Sequence, residues 1–277
     1  MRNRKLVVHI RQFDTYETPP GSAWPIVSLP GIRRIVWAIY FIGVVVWAAL
    51  RIRFSQRGVT SARDASTRLL WGLEKIGGRF KVTGIQNLNR DKEALVVAGN
   101  HMSVVETLVL PAFVMSFKPL VFIIKESLLR YPFFGQILLR MGTLPVGRTN
   151  PRADLQKVLT EGVVHLQEGR SLTLFPQSTR IPYFNRSKFS SMAVKLAARA
   201  GCKVVPLALK TDMIMPGKRL KDFGPIDPSK TIHLAFGEPI EVKGKGHDEH
   251  EAVCDFIEEK VSGWRAEEGL PPMPEDA

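Results

Sequence analysis

Cysteine is scarce in this sequence: only Cys202 and Cys254 occur among 277 residues. Two cysteines far apart in the chain form neither the closely spaced set that binds zinc nor the framework of several disulfides that holds small secreted proteins together. We therefore expect two plain thiols in a protein of a reducing compartment.

Acidic side chains are also few relative to basic ones. The chain has 26 aspartates and glutamates against 39 lysines and arginines, which gives a formal net charge of +13 and a pI of about 10.0. This charge favours an anionic partner, which can be nucleic acid, acidic lipid or a phosphorylated substrate. A nucleic-acid-binding protein is the weakest of these interpretations, because the sequence has no helix-turn-helix, zinc or RNA-recognition signature.

No apolar run reaches the roughly 20 residues that are needed to span a bilayer. The longest run, residues 35–50, has 16 residues and is bracketed by Arg33 and Arg34 before it and by Arg51 and Arg53 after it. It starts too far into the chain, and lacks a convincing small-residue cleavage site, for an ordinary signal peptide. A short or tilted span, a re-entrant or in-plane helix and a helix buried in protein all remain open. We expect the run to associate with a membrane.

The first 79 residues divide into two parts by pattern. Residues 1–31 mix basic residues, aromatics and proline–glycine turn signals, which predicts an N-terminal surface arm. Residues 32–79 form the predicted membrane-associated helical segment. Its second helix, at 65–76, repeats leucine and isoleucine at helical spacing, and such a helix either lies on lipid or packs on the next domain.

From residue 80 onward, short apolar runs alternate with helical patterns. The runs predict strands at residues 80–85, 94–99, 120–124, 143–146, 171–175, 204–209 and 232–236. This alternation is typical of an α/β domain with a largely parallel sheet flanked by helices. We place that domain at residues 80–264, with a closing helix at 252–264 and a C-terminal tail at 265–277.

Polar residues follow several of these strands, and the carboxyl ends of parallel strands meet at one edge of a sheet. His101 follows the second strand, and Glu106 comes five positions later, where a helix is predicted to begin. A neutral imidazole can take a proton from a hydroxyl, and an acid on its other ring nitrogen fixes the tautomer. Ser103 and Glu106 also match the S-x-x-E capping box, in which Glu106 would only satisfy a backbone N–H group. Taken alone, the residues leave both roles open.

Four blocks of sequence resemble one family. NHMSVVE at residues 100–106 resembles the first motif, N-H-x-S-x-x-D, of the glycerolipid acyltransferases, the 1-acylglycerol-3-phosphate acyltransferase-like family. KESLLRYPFFGQILLRMGTLPVGR at 125–148 is similar to its second block, FPQSTR at 175–180 to its F-P-E-G-T-R block, and VVPLAL at 204–209 to its fourth. The chain departs from the family at Glu106, which replaces an aspartate, and at Gln177 and Ser178, which replace glutamate and glycine.

The resemblance implies an acyltransferase-like fold and direct transfer of a fatty acyl group to the hydroxyl of a lysophospholipid, as in phospholipid biosynthesis. In that scheme His101 is the general base and Glu106 orients it. Guanidinium groups bind phosphate bidentately, and lysine supplies a point charge. The family pattern assigns Arg180, and less directly Lys125 and Arg148, to the acceptor's phosphate. A backbone N–H near Ser178 or Thr179 is a further candidate, as a donor to the oxyanion.

The family's chemistry requires no metal ion and no cofactor, because acyl-CoA or acyl carrier protein enters as a co-substrate. The expected partners are therefore this thioester, a lysophospholipid acceptor and a membrane, at the cytoplasmic face of a bacterial inner membrane. A lipid-binding protein that has the same fold but no activity remains the main alternative, with Glu106 serving only as a helix cap.

Overall fold

An eight-stranded sheet runs through the centre of the protein. The computed structural model describes residues 2–28, 31–54, 58–90, 92–177, 179–217 and 222–274. The strands are β1 (Tyr16–Glu17), β2 (Arg79–Thr83), β3 (Leu95–Gly99), β4 (Leu120–Lys125), β5 (Leu144–Val146), β6 (Ser171–Leu174), β7 (Lys203–Lys210) and β8 (Thr231–Phe236). They lie side by side in the order β1-β2-β8-β7-β3-β6-β4-β5.

Five neighbouring strands, from β7 through β3, β6 and β4 to β5, run parallel to one another. The prediction of an α/β fold with a largely parallel sheet is therefore confirmed. The exceptions are β8 and β2, which run parallel to each other and antiparallel to these five strands, and β1 pairs antiparallel with β2. The sequence did not predict this reversal, because an apolar run indicates a buried strand without indicating its direction.

Helices cover both faces of the sheet. They are α1 (Arg2–Gln12), α2 (Ile32–Phe54), α3 (Gly58–Lys75), α4 (Val105–Val114), α5 (Phe134–Met141), α6 (Pro151–Gln167), α7 (Met192–Ala200) and α8 (His247–Glu267). Successive side chains of a strand point to opposite faces, so Val97 of β3 joins the core under α1 to α5 while Val96 joins the core under α6 to α8. Both faces are apolar, which is why the strands read as continuous apolar runs.

The N-terminal residues are more ordered than the predicted surface arm. Ile10 of α1 is fully buried in the core, and Tyr16 of β1 pairs with Val82 at the edge of the sheet. The Tyr16 hydroxyl also donates a 2.6 Å hydrogen bond to the buried carboxylate of Glu74. A single helix of about three turns followed by a two-residue strand gives too little periodicity for a sequence pattern to reveal it.

The helix α2 has 23 residues, more than the 16 of the apolar run, because the flanking arginines continue it at both ends. At about 35 Å it is the helix among the described residues that is long and apolar enough to cross a membrane. One stripe is buried against the protein through Trp37, Val44, Ala48 and Ile52. The opposite stripe exposes large apolar side chains to solvent: Ile35, Ile39, Ile42, Leu50 and Phe54.

A hydroxyl joins α3 to α4. Pro111 interrupts the hydrogen-bond ladder of α4, and the buried Ser66 of α3 enters at this point. Its Oγ donates to the carbonyl of Leu108 at 2.6 Å and accepts from the N–H of Ala112 at 2.9 Å. These two groups would pair directly in an uninterrupted helix. The N-terminal helices therefore hold the helix whose first turn carries Glu106.

Candidate active site

The carboxyl ends of β3, β6 and β7 meet at one edge of the sheet. The side-chain amide of Asn100, directly after β3, is fully buried. It donates to the carbonyl of Leu209 and accepts from the N–H of Leu209, both at 2.8 Å. The amide thus takes the place of a backbone partner and fixes the end of β3 to β7. This sets the position from which His101 leaves the sheet.

His101 and Glu106 lie in direct contact. The Nδ1 atom of His101 is 2.8 Å from Oε1 of Glu106, whose side chain is completely buried, while 12% of the histidine side chain is exposed. The contact is possible because His101 precedes α4 and Glu106 lies in its first turn. On one continuous helix a separation of five residues would point the two side chains about 140° apart.

Glu106 also caps the start of α4. Its Oε1 accepts hydrogen bonds from the N–H groups of Met102, at 2.7 Å, and Ser103, at 2.9 Å. The Ser103 hydroxyl accepts from the N–H of Val105 at 3.0 Å, two residues on and not three, so the glutamate half of a capping box is present without its reciprocal half. The two roles that the sequence left open are thus compatible, because one carboxylate contacts both the backbone and the imidazole.

The second oxygen of Glu106 has partners of its own. Oε2 accepts from the hydroxyl of Thr211 at 2.6 Å and lies 3.0 Å from that of Ser103. Burial raises the pKa of Glu106, but the hydrogen bond and positive charge of His101 and the bonds from Thr211 and Ser103 outweigh burial and lower the pKa below its ordinary value. The carboxylate is therefore charged at neutral pH.

The segment after β6 makes three contacts with His101, one with its ring and two with its backbone. The ring of His101 stacks on Phe175, with centroids 4.5 Å apart and planes 9° from parallel. Its backbone N–H donates to Oε1 of Gln177 at 3.2 Å, and its carbonyl accepts from the N–H of Ile181 at 2.9 Å. Among the described residues, none bonds to Nε2 of His101. With Nδ1 held by Glu106, Nε2 is the nitrogen able to accept a proton from a bound molecule.

The three cations predicted to bind substrate lie at this same edge of the sheet, at or after the ends of different strands. Arg180, 26% exposed, pairs through Nη1 with Asp222 at 2.5 Å. Lys125 ends β4 and Arg148 follows β5, and both are exposed. Since neighbouring strands lie about 4.8 Å apart, β4 and β5 are about 10 and 14 Å from β3. The three cations thus start from different strands along this edge.

The predicted oxyanion donors are a different case. The N–H of Thr179 donates to the carbonyl of Gln177 at 2.7 Å, and a role for it toward an oxyanion stays a prediction. Ser178 lies outside the described residues.

Sequence patterns missed three side chains that surround His101. Phe175 and Gln177 belong to a block that was assigned to the acceptor, yet both contact the histidine. Thr211 is the polar residue directly after β7, and the same argument from strand ends that singled out His101 would have singled it out too. The described residues hold no group of three or more His, Cys, Asp or Glu side chains placed to bind a metal ion.

We predict that Glu106→Gln destabilises the protein at neutral pH by about 1–3 kcal/mol, because the amide keeps an acceptor for the backbone but loses the charge. A carboxylate with a lowered folded pKa adds stability that is complete above its ordinary pKa of 4.5 and is lost as the pH falls through the folded pKa. The difference from the unmodified protein should therefore shrink below pH 4.5, measured by urea unfolding with tryptophan fluorescence.

The control for this measurement is Glu126→Gln, which removes an exposed carboxylate just after β4. It should unfold like the unmodified protein at both pH values. A difference for Glu106→Gln that is the same at pH 7 and well below pH 4.5 would contradict a charged, stabilising Glu106.

Comparison with known proteins gives a consistent result. A family model described as Acyltransferase matches residues 79–210. A 1-acyl-sn-glycerol-3-phosphate acyltransferase of Pseudomonas aeruginosa is 27% identical over 234 residues, which are 84% of this chain and 84% of that protein. The enzyme of the same name from Borreliella burgdorferi is 31% identical over 134 residues, 48% of this chain and 52% of that protein.

A solved structure shares the fold. The crystal structure of the 1-acyl-sn-glycerophosphate (LPA) acyltransferase from Thermotoga maritima superposes with a TM-score of 0.61 at 21% sequence identity, over 89% of this chain and 100% of that one. The matched region, residues 79–210, contains β2 to β7 and the residues described as contacting His101, while Thr211 lies just beyond it. By its sequence blocks, its relatives and its fold, the chain is an acyltransferase similar to the 1-acyl-sn-glycerol-3-phosphate acyltransferases.

Proposed function

We propose that this acyltransferase moves a fatty acyl group from acyl-CoA or acyl carrier protein to the free hydroxyl of a lysophospholipid, with 1-acylglycerol-3-phosphate as the acceptor. The observation that carries the proposal is the geometry of His101, whose Nδ1 is bonded to a charged, buried Glu106 while its Nε2 has no partner among the described residues. The acyltransferase relatives, which are named for this acceptor, support the substrate.

The transfer needs one base and one attacking hydroxyl. Nε2 of His101 takes the proton of the acceptor hydroxyl as the hydroxyl oxygen attacks the carbonyl carbon of the thioester. The carbon–sulfur bond then breaks, and the imidazolium returns its proton to the leaving thiolate. Glu106 stabilises the imidazolium between the two proton transfers, and no acyl group is attached to the protein. Products are the diacylated phospholipid and the free thiol.

The acceptor's phosphate is proposed to bind Arg180. One N–H of its guanidinium is engaged by Asp222, and the group has further donors in the same plane. Arg148 and Lys125 lie farther along the edge and would contact the phosphates of the donor or of neighbouring lipids. The net charge of +13 favours all of these anions.

The proposed base is tested by His101→Ala. Transfer should fall by about 10²–10⁴-fold, because the variant keeps the binding surfaces and lacks the proton acceptor. The assay follows radiolabelled acyl groups from acyl-CoA and from acyl carrier protein onto 1-acylglycerol-3-phosphate and onto lysophospholipids with other headgroups, in detergent micelles. His247→Ala, which removes an exposed histidine of α8, is the matched control and should keep full activity.

Two results would overturn this proposal. Unchanged transfer by His101→Ala would remove His101 as the base. Transfer to a different headgroup, with none to 1-acylglycerol-3-phosphate, would replace the proposed acceptor while leaving the chemistry in place.

We also propose that the protein works on a membrane, at the cytoplasmic face of a bacterial inner membrane. The exposed stripe of α2 supports this, because five large apolar side chains lie along one side of the helix with arginines at both ends. Tyr131, Phe133 and Leu139 add exposed apolar side chains at and beside α5, which packs against α2. Arginines at the ends of such a helix can reach anionic headgroups.

Membrane binding is tested by Ile39→Lys and Ile42→Lys, which place a charge on the exposed stripe without touching the buried one. Each should weaken binding to vesicles of phosphatidylethanolamine and phosphatidylglycerol by roughly tenfold or more, since burial of an isoleucine contributes about 1.5–3 kcal/mol. Val164→Lys on α6, an exposed apolar residue on the other face of the sheet, is the control. Equal flotation of all three variants with vesicles would contradict α2 as the lipid-binding surface.

A further inference from the structure

Thr211 lies where β7 leaves the sheet, and its side chain is completely buried. Its hydroxyl contacts two groups. Oγ1 donates to Oε2 of Glu106 at 2.6 Å and lies 2.9 Å from the hydroxyl oxygen of Ser103. No other residue of the β7 end bonds to the His101–Glu106 pair within the described part of the chain.

We propose that Thr211 is a positioning residue for acyl transfer, which acts on His101 through the carboxylate of Glu106. This inference rests on the proposed role of His101 as the base. Thr211 lies 105 positions from Glu106 in the chain and does not contact the imidazole itself. Its contribution is to fix the orientation of the carboxylate that holds the ring.

A count of the donors to each oxygen of Glu106 shows that Oε2 depends on Thr211 for its shortest hydrogen bond. Oε1 accepts from three donors, which are His101 Nδ1 and the N–H groups of Met102 and Ser103. Within the described residues, Oε2 has the hydroxyls of Thr211 and Ser103 as its partners. The Ser103 hydroxyl has one proton, and it can give that proton either to Oε2 or to Thr211. Without Thr211, a buried charged oxygen would keep a single, longer hydrogen bond.

The residues on either side of Thr211 hold it in place. Lys210 is buried and bonds to Asp212 at 2.9 Å and to Glu268, just after α8, at 2.5 Å. Asp212 also accepts from Lys230 at 2.8 Å. These ion pairs connect the end of β7 to the C-terminal part of the chain. The backbone that carries Thr211 is thus held on both sides. The orientation of its hydroxyl therefore does not depend on flexible side chains at the surface.

The test uses Thr211→Val, which has nearly the same shape but no hydroxyl. We expect kcat to fall roughly tenfold or more with KM unchanged, because a hydrogen bond to a buried charge is lost and no substrate contact is removed. Thr211→Ser keeps the hydroxyl and should recover most of kcat. The control is Thr173→Val in β6, where a fully buried hydroxyl has no partner among the described residues, so its loss should leave kcat unchanged.

A second measurement needs no substrate. In the NMR spectrum, the proton on Nδ1 of His101 should appear far downfield because it is bonded to a carboxylate, and it should move in Thr211→Val but not in Thr173→Val or Thr211→Ser. A role of Thr211 in stability alone would not move this signal in the folded protein.

The outcomes separate this inference from the proposed function. If kcat and the Nδ1 proton of Thr211→Val match those of Thr173→Val, the inference is wrong, even if His101 is the base. If the unmodified protein transfers no acyl group, the proposed function fails, and the ring proton still decides whether Thr211 positions the histidine through Glu106.

Discussion

The buried carboxylate of Glu106 is the group on which the site depends. It accepts hydrogen bonds from the imidazole of His101, from the N–H groups of Met102 and Ser103, and from the hydroxyls of Ser103 and Thr211. A lone charge in this place would be costly, and these donors offset the cost and lower its pKa. The same contacts start α4, orient the histidine and tie the end of β7 to the end of β3. They therefore hold this edge of the sheet together and orient the proposed base.

The N-terminal helices have a structural role in addition to the proposed role at the membrane. One stripe of α2 fills the core while the opposite stripe is apolar and exposed. The neighbouring α3 holds α4 through Ser66, at the place where Pro111 opens the helix. Lipid bound to α2 would thus contact a helix that packs against α3. The helix α3 in turn holds α4, which carries Glu106 in its first turn. This arrangement would hold the base close to the surface from which a lipid acceptor enters.

Sequence patterns predicted the strands and the larger helices of the domain well, because buried parallel strands and amphipathic helices leave strong periodic signals. The contact between His101 and Glu106 was foreseen as possible, and the family resemblance favoured it over a cap. The carboxylate's double role was not foreseen, since it depends on the bend between β3 and α4. Thr211 directly follows β7, and an argument from strand ends could have found it. Phe175 and Gln177 contact His101 through the pairing of β3 with β6, which no local pattern reveals. The pairing of Arg180 with Asp222 was missed for the same reason.

The most direct test of this account is a double-mutant cycle of His101→Ala and Glu106→Gln on kcat for acyl transfer. If Glu106 acts through the imidazole, removing it from a protein that already lacks His101 costs nothing more, and the double variant is as slow as His101→Ala alone. If the two losses instead multiply, Glu106 and His101 contribute independently, and the carboxylate is not what prepares the base.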